Sequence, residues 1–259
     1  MDKLFWDSQV EYLLSTRKKM WNDDYFEFLV KNVWKLDRPK NVVDFGCGYG
    51  HLGMMLLPLL PEGSSYTGID ISDNLLAEAW KTFGGIGYKT DFIKADLTEY
   101  TPSKQYDIAV CQAVLRHIPH AKNVLQKMID SIVPSGMVIC IEVNRKMEEA
   151  GQYIHGISQY NPEYETSLRK KWEDELSGGG RDYLFGIKAP IYMEQLGLEN
   201  IGVRLNDFIE FISPLHDECT YKSQMDSFIK TRNIEDIEIY KDTYLLAARS
   251  LFISFGTKR

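Results

Sequence analysis

The sequence predicts an α/β fold built on a parallel sheet. Three observations carry this expectation. Five short apolar runs alternate with helix-length segments between residues 41 and 144, a glycine-rich turn directly follows the first run, and Asp44, Asp70 and Asp96 stand at the ends of the first three. Strands that read as near-continuous Val/Ile runs are buried on both faces. Alternation with helices requires right-handed crossovers, and hence parallel neighbours.

The elements follow in chain order. Residues 1–40 read as an N-terminal helical cap, with Tyr25, Phe28, Leu29, Asn32, Val33 and Leu36 at mostly three- and four-residue steps, and Asn22 or Asp23 as N-cap. Val42–Phe45 is a strand, Gly46–Gly50 a turn and 51–59 an apolar helix. Ser65–Asp70 is a second strand, and Ser72 caps a helix over Asp73–Phe83, with Asp73 at its positive end. Phe92–Ala95 and Tyr106–Cys111 are strands three and four, followed by a helix near 121–132. Pro134-Ser135-Gly136 is a turn before strand five, Met137–Val143. Pro190–Leu196 is a helix ended by Gly197, Ile201–Ile212 a long strand, and Ser250–Gly256 the last. No composition break marks a second domain. The 259 residues therefore read as one domain, with a core over 41–144 and cap insertions over 145–187 and 213–248.

The glycine turn admits two registers. Gly48-Tyr49-Gly50-His51-Leu52-Gly53 fits GxGxxG, the dinucleotide fingerprint of a nicotinamide-dependent oxidoreductase. Asp44-Phe45-Gly46-Cys47-Gly48-Tyr49-Gly50 fits DxGxGxG, a loop of S-adenosylmethionine-binding sheets. A ligand turn opens directly after its strand, at Gly46, and the third dinucleotide glycine then falls on His51, which favours the second register. Glycine lets the backbone approach a ligand where a Cβ would collide. Asp44 suits the methionyl ammonium and Asp70 the ribose hydroxyls. Asp96 suits the adenine amino group, with Ile71 and Leu97 beside these carboxylates. Cys111-Gln112-Ala113 end the fourth strand under the methionyl and sulfonium region. All these tips share one sheet edge, where open α/β sheets bind ligands.

With these residues the chain resembles the class I S-adenosylmethionine-dependent methyltransferases, most closely uncharacterised bacterial members. The resemblance rests on Val42–Gly50, Tyr66–Ser72, Phe92–Leu97, Tyr106–Pro119 and Ile132–Val143, and covers about residues 20–145 well. It implies a Rossmann-like seven-stranded sheet in the order 3-2-1-4-5-7-6, with the last strand antiparallel and helices on both faces. It also implies S-adenosylmethionine as cofactor and S-adenosylhomocysteine as product, with adenosyl contacts at Gly46, Gly48, Gly50, Asp70, Asp96 and Leu97. Arg116 departs from the family pattern, which has an apolar residue or histidine there.

Methyl transfer from a sulfonium needs alignment and exclusion of water more than a fixed catalytic motif. A base is required only if the acceptor must lose a proton. His117, just past the fourth strand, is the candidate base; its alternative is packing or capping the next helix. Glu142 ends the fifth strand within reach of an acceptor or as a solvated charge. Arg17 can pair with the donor's carboxylate if its helix folds over the site, and Tyr49 can pack on the donor. His155 lies in the first insertion.

An excess of 37 acidic over 30 basic residues disfavours nucleic acid and anionic lipid as partners. The longest apolar stretch, Met54–Leu60, holds a proline and is far below the ~20 residues of a spanning helix. Cys47, Cys111, Cys140 and Cys219 are 64, 29 and 79 apart, without zinc-ligand spacing, so no metal is expected and the compartment reads as reducing. With no basic-then-apolar leader at the first residues, the expected location is the cytoplasm. The expected partner is a small-molecule acceptor, and a non-catalytic binding protein of this fold is the alternative. Aromatics number 9 in residues 41–144 but 8 in residues 1–40 and 15 in 145–259. The surplus thus falls where a roof over the site would be built, and Trp21, Tyr153, Tyr160 or Trp172 is expected to face the cavity.

Overall fold

In the computed structural model, which describes residues 3–17, 20–144, 152–154, 170, 172–232 and 242–259, the central strands are the most deeply buried parts of the chain. β1 (Asn41–Phe45), β2 (Ser65–Asp70), β3 (Lys89–Lys94), β4 (Tyr106–Gln112) and β5 (Ile132–Val143) run parallel in the order β3-β2-β1-β4-β5. β8 (Leu245–Lys258) lies antiparallel against β5, and β7 (Leu198–Ile212) antiparallel against β8. Counted over the seven long strands, this is the implied order. An eighth strand, β6 (Gln152–Ile154), pairs Leu245–Ala247 and continues the β5 side of β8.

Helices α4 (His51–Leu56), α5 (Asp73–Phe83), α6 (Ala121–Asp130) and α7 (Phe185–Gln195) flank the sheet. Two apolar layers result. One packs Val42, Val110, Ile139 and Ile253 with the N-terminal segment and α4; the other packs Val43, Phe45, Ala109 and Cys140 with α6 and α7. The alternation along each strand decides the layer of each side chain. Ser72 caps α5 as expected, its Oγ accepting the Leu75 N–H at 3.1 Å.

Four expectations are corrected. Pro134–Gly136 is not a turn before a strand but an irregularity inside β5, with Ser135 at φ 62° and a register shift against β4. The second insertion ends before Leu245, because Leu245–Arg249 already pair in β8; within it lies α8 (Glu218–Arg232). The N-terminal helix α3 (Asp23–Phe28) passes into a π-turn over Leu29–Val33, where Trp34 N–H donates to the Leu29 carbonyl. The wider turn resets the apolar face. Phe26, Leu29, Val30 and Trp34 are buried, and Phe28 is exposed. Asn22 precedes α3 but makes no side-chain cap; its Nδ2 donates to the Asp207 carbonyl on β7, and Asn206 bonds the backbone of Met20 and Asn22.

Two further N-terminal helices, α1 (Lys3–Asp7) and α2 (Val10–Arg17), lie at the C-terminal edge of the sheet. α1 is clasped to the start of α5. Asp7 Oδ1 accepts from Ser72 Oγ at 2.6 Å and from the Asn74 N–H at 3.3 Å, while Lys3 and Lys94 both pair with Asp73. Leu13, Tyr49 and Leu75 form a small apolar cluster beneath, flanked by Trp6 and Val10.

Candidate active site

A cavity of about 770 Å³, counting its mouth, opens at the C-terminal ends of β1, β2 and β4 under α1 and α2. β1 ends at Phe45, so the turn opens at Gly46, whose N–H donates to the Ile69 carbonyl at 2.7 Å. Gly46 has φ 80°, and a Cβ there would stand 2.6 Å from the Val114 side chain. Gly50 has φ 84°, and its Cβ would stand 2.4 Å from the Phe83 ring. Both positions demand glycine. Gly53, the last glycine of the competing register, sits inside α4 against the Tyr66 ring.

Three carboxylates surround the cavity in chemically distinct states. Asp44 is buried; Tyr66 Oη donates to its Oδ2 at 2.6 Å, while its Oδ1 has no hydrogen-bond partner among the described residues. Burial pushes its pKa up to about 7 against the Tyr66 bond, and Asp70 adds to the rise. Asp70 is also buried and accepts the Gly48 N–H at 2.8 Å on Oδ2 and the Ser72 N–H at 3.0 Å on Oδ1. Burial raises its pKa, and these backbone donors oppose the rise. Asp96 is half-buried; burial alone would raise its pKa, but the N–H and hydroxyl of Thr98 outweigh it and hold the carboxyl low.

Arg17 lines the same cavity from α2, donating to Met20 Sδ, with no carboxylate at ion-pair distance among the described residues. Burial lowers its pKa, and the potentials of Tyr12, Tyr49 and Glu142 partly restore it. Gln112 is held by the Trp21 indole N–H at 3.0 Å. Ala113 adopts φ 58°, and its N–H donates to Ile141. Cys47 lines the wall with a thiol that burial pushes well above its usual pKa, which keeps it protonated.

Of the residues expected at the cofactor, Asp44, Gly46, Cys47, Gly48, Tyr49, Asp70, Ile71, Asp96, Leu97, Gln112, Ala113 and Arg17 line this cavity. Gly50 and Cys111 stand outside it. Gly50 supports the turn against Phe83, and Cys111 points to the opposite layer from Gln112, its Sγ 3.6 Å from that of Cys140. His117 and Glu142 also stand outside. The His117 ring meets the Trp6 indole edge-on at 5.2 Å, one ring behind the cavity wall. Glu142 is fully buried and accepts the N–H groups of Val114 and Leu115 at 2.9 and 2.8 Å. It therefore does not stand as a solvated charge facing an acceptor.

The roof aromatics are Trp6 and Tyr49. Trp21 lies one shell behind, bonded to Gln112, and Trp172 packs near Tyr183, so neither lines the cavity. Tyr160, His155 and the side chain of Tyr153 lie outside the described residues. Sequence reasoning passed over Trp6, Val114 and Ile118, which line the wall, and Asp7, which clasps the roof. Only the aromatic surplus of residues 1–40 pointed towards Trp6. Among the described residues, no helix is long and apolar enough to cross a membrane.

A glycine turn and three carboxylates surround a cavity at the edge where open α/β sheets bind their ligands. The methyltransferase domain family matches residues 15–176, and the chain belongs to that family, among the class I S-adenosylmethionine-dependent methyltransferases. Over 132 residues it is 27% identical to a ubiquinone biosynthesis O-methyltransferase of Rickettsia conorii, covering 51% of this chain and 42% of that one. Over 114 residues it is 31% identical to a trans-aconitate 2-methyltransferase of Methylobacterium nodulans, covering 44% and 42%. The chain thus matches less than half the length of these relatives. A phosphoethanolamine N-methyltransferase 2 of Haemonchus contortus, solved with phosphomonomethylethanolamine and S-adenosylhomocysteine, shares the fold. Its TM-score is 0.54 at 15% identity, over 89% of this chain and 52% of that one.

Proposed function

We propose that the chain transfers a methyl group from S-adenosylmethionine to a small-molecule acceptor. The observation that carries this is Asp44: a buried carboxylate with one oxygen that has no partner among the described residues, in the cavity wall beside the glycine turn. A group so placed calls for a cationic or hydrogen-donating ligand. The methionyl ammonium meets that requirement. When bound, the cofactor supplies a methyl group on a sulfonium leaving group, ready for in-line displacement.

The roles then divide along the edge. Asp70 takes the ribose hydroxyls with the acceptor capacity its two oxygens keep beyond the backbone N–H groups of Gly48, Ser72 and Ile71. Asp96, with Leu97 and Ile71, takes the adenine. Asp44, Gln112 and Arg17 hold the amino-acid end, with Arg17 on the carboxylate. Trp6, Leu13, Val114 and Ile118 shut out water and shape the acceptor side as an apolar wall. His117 stands one ring behind Trp6, out of reach of an acceptor in this cavity, and is assigned no part in the transfer. The relatives' names, a ubiquinone biosynthesis O-methyltransferase and a trans-aconitate 2-methyltransferase, support a small acceptor, as does the acidic charge balance.

Calorimetric titration with S-adenosylhomocysteine tests the binding half, with expected saturation in the micromolar range. Absence of binding, or a response to NAD in its place, overturns the reading.

A further inference from the structure

We propose that Glu142 is a positioning residue for the amino-acid end of the methyl donor, acting through the turn that follows β4. The proposal rests on the cofactor placement given above. Glu142 ends β5 with 1% of its surface exposed. Its Oε1 accepts two consecutive backbone donors, Val114 N–H and Leu115 N–H. Its Oε2 stands 3.4 Å from the guanidinium of Arg116, itself buried. One carboxylate thus gathers three successive residues of a single turn. Burial raises its pKa, while Arg116 and the backbone donors favour the charged form.

Geometry says what this turn controls. Val114 sits where a Cβ on Gly46 would be, so the turn and the glycine loop are in direct contact in the cavity wall. Ala113 and Val114 line the wall over β4, and strand order puts β4 beside β1 and Asp44, away from β2 and Asp70. The turn therefore borders the amino-acid and sulfonium end, not the adenosine end. Ala113 already holds a left-handed backbone, a conformation that persists only where its surroundings over-determine it. The Arg116 carbonyl accepts the Asp182 N–H at 2.8 Å, and Gly186 of α7 lies close against Glu142, where a Cβ on the glycine would stand 3.0 Å from the Glu142 Cβ. The same post thus ties the 182–186 segment to the donor's reactive end.

The test uses two probes on the full chain: S-adenosylhomocysteine, which carries the amino-acid end, and adenosine, which does not. Glu142→Ala leaves the Val114 and Leu115 N–H groups without this acceptor and lets the turn relax. The expected result is a Kd for S-adenosylhomocysteine raised about tenfold, with that for adenosine unchanged within about twofold. Glu142→Gln keeps an oxygen acceptor in place and restores most of that loss, an expected residual of about threefold. A merely structural role weakens both probes in equal proportion, and that outcome, or no change in either, overturns the proposal. If the Ala variant does not fold, the Gln variant carries the comparison. A Gln variant that does not fold overturns it too, since Glu142 is then a requirement of the fold. A wild-type chain that binds neither probe overturns the proposed function and this proposal with it, whereas the selective outcomes bear on Glu142 alone.

Discussion

Asp44 makes donor binding depend on pH, with a sign and size that follow from its surroundings. Burial has lifted its carboxyl to about 7. Only the ionised form receives an ammonium, so the competent fraction is roughly nine-tenths at pH 8 and roughly one-tenth at pH 6. The ligand's own amino group keeps its proton over this range. The Kd for S-adenosylhomocysteine is therefore expected to rise about tenfold from pH 8 to pH 6. Stability of the empty protein runs the other way. Between about pH 4 and 7 the folded chain holds a proton on Asp44 that the unfolded chain has lost, so folding is disfavoured progressively as pH rises through that window. A rise from about 3.9 to about 7 corresponds to on the order of 4 kcal/mol lost by pH 7. Donor binding relieves this cost, so the thermal shift on adding S-adenosylhomocysteine is larger at pH 8 than at pH 6. Calorimetric titrations at pH 6, 7 and 8, on the wild type and Asp44→Asn, check both. Adenosine, without the ammonium, serves as control and is expected to bind equally at each pH. A flat affinity for S-adenosylhomocysteine, or a slope surviving in Asp44→Asn, refutes the reasoning.

Two further outcomes are expected. Gly50→Ala puts a methyl 2.4 Å from the Phe83 ring on a backbone at φ 84°, and should destabilise the fold by about 2–5 kcal/mol in urea unfolding. Asp7→Ala removes the clasp to Ser72 and Asn74 and should speed release of S-adenosylhomocysteine in stopped flow by about three- to tenfold, with the midpoint of thermal unfolding nearly unmoved.

The glycine turn, the strand tips and the helix capped by Ser72 were legible because each makes a demand that one or two neighbouring residues must meet. The side of the sheet taken by Cys111 was legible in principle as well: with Gln112 facing the ligand, the period of two turns Cys111 away. Other features depend on partners remote in sequence. The irregularity at Pro134–Gly136 exists because β5 must stay in register with β4 on one side and β8 on the other. The π-turn at Leu29–Val33 brings Trp34 into the core, where Phe26 meets it edge-on. Glu142 reads locally as a charge at a strand end; only the fold shows three donors of the β4 turn converging on it. Asp7 and Ser72 are 65 residues apart, and nothing local joins them.

The contact between Asn22 and β7 bears on how this chain avoids sticking to others. β7 is the last strand of its sheet, 15 residues long, with Leu205, Ile209 and Phe211 exposed along it. An edge of that length and composition is a template for strand-to-strand aggregation. The Asn22 amide occupies the Asp207 carbonyl midway along it, so an arriving strand meets an acceptor already taken and cannot zip along the full edge. An asparagine that does not cap its own helix in this way breaks an edge that is unpaired among the described residues into two shorter pieces.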